Sequence, residues 1–152
     1  MNNGISYEDY LAVHDSLTYS NVGTSMLPLL RQGKDLFTVM KKGADRCKVG
    51  DVVLYRRPPS HYVLHRIVEV RECDYVILGD NCVSREYGIM DDDVIGIMTG
   101  FVRNGKEYST QDWRYRAYSF VWLHIIGIRI IFKRFMIAWA RVVRKITKGV
   151  GR

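Results

Sequence analysis

The chain has 152 residues, 47% of them hydrophobic and 26% charged, with 13 Gly and 3 Pro. That composition excludes a disordered or collagen-like chain, and the length suits one ordinary domain with a single core. The net charge of +7 is unevenly divided: from Trp113 to Arg152 there are 10 Lys/Arg and no Asp/Glu, against 13 and 16 in residues 1–112. A slightly acidic body thus carries a strongly basic tail, which points to an anionic partner, either nucleic acid or the acidic face of a membrane.

Residues Met1 to Thr18 lack the basic and apolar regions of a secretory signal. Ser6 as N-cap, with Glu8 and Asp9 in the first turn, predicts a short helix over residues 5–17. Short β-rich runs then follow: Leu36 to Met40, Asp51 to Tyr55, Tyr62 to Val70, Tyr75 to Leu78 and Val94 to Val102. Lys48-Val49-Gly50-Asp51, Arg57-Pro58-Pro59-Ser60 and Asn104-Gly105 break the series. The fold class read from this is mainly β, a strand-dominated body over residues 1–110, with a basic amphipathic helical extension over 111–152.

In that extension Arg129, Lys133, Arg134, Arg141, Arg144, Lys145 and Lys148 fall within roughly 160° of a helical arc. Ile131, Phe132, Phe135, Met136, Trp139, Val142, Val143 and Ile146 lie outside it. Gly127 is a possible break between two helices. The longest uncharged stretch, Ala117 to Ile128, is well short of the roughly 20 residues that span a bilayer. A helix lying in an anionic interface remains, with Trp122 and Trp139 buried in it and Arg129, Lys133 and Arg134 toward headgroups. The alternative is that the apolar face packs on the body. Nucleic acid is not expected, because aromatics and aliphatics sit opposite the cations.

Cys47, Cys73 and Cys82 are odd in number and form no C-x-x-C pair, so neither a disulfide framework nor a zinc site is indicated, and no cofactor is implied. Two constellations remain. Gly23-Thr24-Ser25-Met26-Leu27-Pro28 presents a serine in a tight turn, and a serine nucleophile needs a base and oxyanion donors nearby. His65 lies in a β run amid apolar neighbours and can serve as that base, with Asp80 or Glu86 downstream to fix its tautomer. Either constellation alone also fits an ordinary turn serine or a packed histidine.

Together, the Ser-Met-x-Pro of Ser25 to Pro28, the Lys48 to Val53 run, the Gly79-Asp80-Asn81 box and Val94-Ile95-Gly96 resemble the serine peptidase superfamily of signal peptidase I and the self-cleaving LexA-like repressors. The resemblance spans Val22 to Val102, roughly half the chain. Where typical bacterial members carry a lysine base, this chain has His65-Arg66, similar to the endoplasmic-reticulum type. The resemblance implies a serine endopeptidase acting on a leader or signal-type polypeptide, with Ser25 as nucleophile and His65 as general base. Glu86 stands in place of the usual Asp as orienter, with Asp80 as supporting contact or substitute.

It also implies an oxyanion site from the Ser25 and Thr24 amides, and substrate contact by Met26 and Pro28, although Met26, Leu29 and Leu30 could equally be core. Cleavage after small residues is the implied preference. Two positions depart from the pattern: Gly23 stands where an oxyanion serine is common, and Lys34 interrupts the Gly-Asp that follows the nucleophile box. These departures motivate the alternative of a catalytically inactive peptide-binding module of the same fold. A LexA-like repressor is disfavoured, since too few residues precede Ser25 for a DNA-binding unit. The expected localisation is peripheral on a membrane, otherwise cytoplasmic.

Overall fold

The computed structural model describes residues 5–59 and 61–149; Ser60 and the side chains of Val142, Lys145, Ile146, Thr147 and Lys148 lie outside the described residues. Ser6 caps helix α1 (Tyr7–His14) by accepting from the Asp9 amide at 3.0 Å. The helix is shorter than predicted because Asp15 turns into the left-handed region, φ 57°, and its amide closes on the Leu11 carbonyl. The chain leaves that turn as strand β1 (Ser16–Ser20).

Strands β2 (Leu36–Lys41), β3 (Val52–Arg57), β4 (His61–Val70), β5 (Asp74–Leu78), β6 (Glu86–Met90), β7 (Val94–Arg103) and β8 (Lys106–Ser109) complete an antiparallel sheet. Its order is β1-β2-β7-β3-β4-β5-β6, with β8 added to β7. The five runs predicted from sequence are the strands that bury most of the sheet's apolar side chains; β1 and β6 bury one each, Leu17 and Ile89. The three not predicted, β1, β6 and β8, are polar or largely exposed, so they lack the apolar signal that marks a strand.

Alternation along β3 and β4 splits the core between the sheet's two faces. Val52, Leu54 and Leu64 join Leu11, Met26, Leu30 and Phe37 on one face. Val53, Tyr55 and Ile67 join Tyr75, Ile77 and Val94 on the other.

Asp112 precedes helix α2 (Trp113–Gly149) and accepts from the Arg116 amide, while its carboxylate accepts from the Ser109 amide. Thirty-seven residues run without interruption through Gly127, where the sequence allowed a break, giving a rod roughly 55 Å long. The stretch from Trp113 to Lys133 belongs to the body. Trp122, 3% exposed, and Ile126 pack on Leu78. The tail is therefore not a separate layer, and Trp122 is a core residue, contrary to its assignment to the membrane.

Candidate active site

The serine turn is held from beneath. Met26, Leu29 and Leu30 are buried in the core, which leaves half-buried Ser25 on the wall of a cleft of about 910 Å³. Met26 is thus core, and Pro28 is exposed outside the cleft, so neither takes the predicted substrate-binding place. Buried Asp35 fastens the far side of the loop by accepting from the Arg31 amide, the Arg31 guanidinium and Arg103. Arg103 also donates to the Pro28 and Leu29 carbonyls. The Asp35 carboxyl would be raised by burial, but these donors hold it at about 2. This clamp gives the interrupted Gly33-Lys34-Asp35 segment a role that its motif spacing concealed.

The Gly79-Asp80-Asn81 turn meets the serine loop directly. The Asn81 amide donates to the Ser25 carbonyl at 2.6 Å, and its side chain donates to the Thr24 carbonyl at 3.0 Å. Gly79 is required by close approach. A Cβ there would lie 2.7 Å from Cys82 Sγ, 2.8 Å from His65 Nε2 and 2.9 Å from the Ser25 carbonyl oxygen. Ser25, His65 and Cys82 therefore converge on one point that no side chain occupies. Among the described residues, the Ser25 and Thr24 amides donate to no protein group, and Ser25 Oγ makes no hydrogen bond to the His65 ring. Hydrogen bonds of this kind are commonly long before substrate binds and tighten in its complex.

His65, 4% exposed, projects from β4 opposite Val53. Its Nδ1 lies 3.0 Å from Glu86 Oε1 on β6. Glu86 is itself fixed by Tyr55, whose hydroxyl donates at 2.7 Å, and by Arg57, which donates through Nε at 2.9 Å and through a second, shorter contact. Val53, Tyr55 and Arg57 alternate along β3, so the residues that hold the carboxylate share the sheet face of the histidine. Burial alone would raise the Glu86 carboxyl; hydrogen bonds from His65, Tyr55 and Arg57 outweigh it and bring it to about 2. Burial would lower the His65 imidazole, yet its contacts with Cys82 and Glu86 raise it above 6.5. A carboxylate that stays ionised beside a buried imidazole fixes its orientation and favours the protonated ring that proton abstraction creates.

Asp80 does not share this task. Arg66 Nε and Nη2 each donate to it at 2.9 Å, and the Tyr118 hydroxyl donates at 2.9 Å. The remaining Arg66 nitrogen donates to the Gly50 carbonyl and to Ser119. Both side chains are 0% exposed, and the guanidinium lies 5.3 Å from the Trp122 ring centroid. The expectation that Asp80 supports or replaces Glu86 is corrected: Arg66 takes both of its oxygens and locks helix α2 to the sheet.

Two residues assigned to lipid also fall on the body. Arg129 donates to the Cys82 carbonyl at 3.1 Å, and Lys133 donates to both the carbonyl and the side chain of Asn81. Lys133 thereby lines the cleft. Arg134 and Trp139 remain exposed. Sequence reasoning missed Tyr55 and Arg57, and gave Lys133 to lipid. The period-2 alternation from Val53 would have placed the first two beside His65, whereas nothing local announced that helix α2 would fold back over Asn81. No family model, curated protein or solved structure matches the chain.

Proposed function

We propose that the chain is a serine endopeptidase resembling signal peptidase I, in which His65 takes the proton of Ser25 as its Oγ attacks a peptide carbonyl. Glu86 orients the ring, the Ser25 and Thr24 amides receive the oxyanion, and water releases the acyl-enzyme. The observation that carries this reading is the Glu86–His65 contact at 3.0 Å, in a buried imidazole whose Nε2 and the Ser25 turn meet at Gly79 in one cleft. Edge strand β1 adds Leu17, Tyr19 and Ser20 to the same cleft, a wall along which an extended leader or signal-type polypeptide can lie.

Labelling by a fluorophosphonate probe tests it. The wild-type protein should label at Ser25, and Ser25→Ala and His65→Ala should not. A folded wild type that stays unlabelled yet binds peptide would favour the inactive binding module. Comparing peptide N-termini in cells carrying wild type or Ser25→Ala would then identify the substrates.

No described helix is long and apolar enough to cross a membrane. We propose peripheral attachment through the outer face of helix α2, whose Ile128, Phe132, Phe135 and Trp139 are exposed along one stripe on the side away from the body. Exposed Arg134 and Arg141 lie roughly 130–150° round the helix from the stripe, and the helix contains no acidic residue, so the complementary surface is an anionic lipid interface.

A further inference from the structure

The third group at the Gly79 convergence has no part in the serine mechanism. Cys82 lines the cleft half-buried, and its Sγ sits across Gly79 from His65 Nε2. Glu86 holds the opposite edge of the same ring. Arg129 and Lys133 pin the backbone on either side of the thiol through the Cys82 and Asn81 carbonyls. A sulfur nucleophile, a carboxylate-oriented imidazole and an ammonium group thus share one accessible pocket, the surroundings in which a thiol becomes a reactive thiolate. The other two cysteines lack them: Cys47 is buried and pushed up to about 11, and Cys73 lies exposed on the turn before β5.

We propose that Cys82 is an oxidation site for hydroperoxides inside the cleft, and that its oxidation switches off Ser25 by taking possession of His65. The first clause stands on the thiol's own surroundings, and the second rests on the serine peptidase reading. In the step itself, His65 accepts the thiol proton and the thiolate attacks one peroxide oxygen. An S–O bond forms and the O–O bond breaks. The departing hydroxide, or alkoxide from an organic hydroperoxide, takes the proton from His65 and leaves as water or the alcohol. Sulfur is oxidised to a sulfenic acid while the peroxide is reduced. The hydrogen bond to His65, outweighing burial and aided by Lys133, lowers the thiol from its ordinary value, which increases the share of the attacking species. The added oxygen faces His65 Nε2, where it engages the nitrogen that must otherwise receive the Ser25 proton. A thiol reductant reverses the change.

The experiment treats the full chain with hydrogen peroxide, traps sulfenic acid with dimedone and maps the adducts by mass spectrometry. Fluorophosphonate labelling of Ser25 is followed in parallel. Cys82 should be trapped on the order of tenfold faster than Cys73, and His65→Gln should remove most of that advantage. Ser25 labelling should fall as Cys82 is oxidised, return with reductant, and resist peroxide in Cys82→Ala. Trapping at Cys73 as fast as at Cys82 would overturn the oxidation site. Peroxide sensitivity that persists in Cys82→Ala would overturn the switch. If untreated wild type does not label at Ser25, the peptidase reading fails, and the dimedone ratio still decides whether Cys82 is the reactive thiol.

Discussion

On strand β4 the neighbours His65 and Arg66 divide two carboxylates between opposite faces of the sheet: His65 meets Glu86 at 3.0 Å, and Arg66 meets Asp80 at 2.9 Å through two nitrogens. The pleat enforces the division, since consecutive side chains point to opposite sides. Under the proposed function, His65 serves chemistry and Arg66 serves cohesion.

Asp80→Ala should therefore be a stability variant. Removing the carboxylate leaves Arg66 charged at 0% exposure and takes away the acceptor of the Tyr118 hydroxyl. Breaking a buried pair in this way costs about 3–5 kcal/mol. Denaturant unfolding should show a loss in that range, and a loss below 1 kcal/mol would place the pair outside the core of the fold.

Glu86→Gln should act on the pH profile. His65 must be neutral to accept a proton, and its contacts raise it above 6.5, so Ser25 labelling in the wild type should reach half its maximum above that pH. Replacing Glu86 removes one of the raising contacts, and the midpoint should move to lower pH while the labelling plateau falls. Stability carries the opposite sign at acid pH. A carboxyl depressed from 4.5 to about 2 contributes stability that is present above 4.5 and lost as pH falls toward 2. The melting temperatures of wild type and Glu86→Gln should therefore converge across that window.

Much of the site was legible because its parts are local. The serine turn, His65 and the Gly-Asp-Asn box are each contiguous, and the five apolar strands announced a mainly β body. Which carboxylate serves His65 was not legible. Glu86 and Asp80 lie 6 positions apart in the sequence, and only the pairing of β5 with β6 and the side-chain alternation on β4 separate them. The tail misled for a related reason. Helical periodicity shows that one face is cationic and another apolar, but not which of them meets the body. Here Trp122 and Ile126 of the body-facing side run on into Arg129 and Lys133, which serve the cleft turn rather than lipid.

Gly79→Ala should disturb Ser25, His65 and Cys82 together. Its methyl group would press on the Ser25 carbonyl at 2.9 Å, a backbone atom that cannot swing away, as well as on the histidine and the thiol. Overpacking of this kind costs about 1–3 kcal/mol. Ser25 labelling should fall more steeply than stability does, because the displaced groups are those that must align. Labelling at the wild-type rate would mean that the turn can retreat without moving the serine.

The two halves of helix α2 should separate under truncation. Ending the chain after Thr110 removes Trp122, Ile126 and Tyr118 from the core and strips Arg66 of its Ser119 and Tyr115 contacts, so that variant should not fold. Ending it after Arg134 keeps every described contact with Leu78, Asp80, Asn81 and Cys82 but removes Phe135 and Trp139, which are 62% and 59% exposed. The shorter helix should keep Ser25 labelling near the wild-type rate. It should no longer sediment with vesicles containing anionic lipid, whereas the full chain should, more weakly as salt rises, because exposed cations are screened over about 10 Å at 0.1 M ionic strength. Equal sedimentation of both chains would place the lipid contact elsewhere, and a full chain that binds neutral and anionic vesicles alike would remove the role assigned to Arg134 and Arg141.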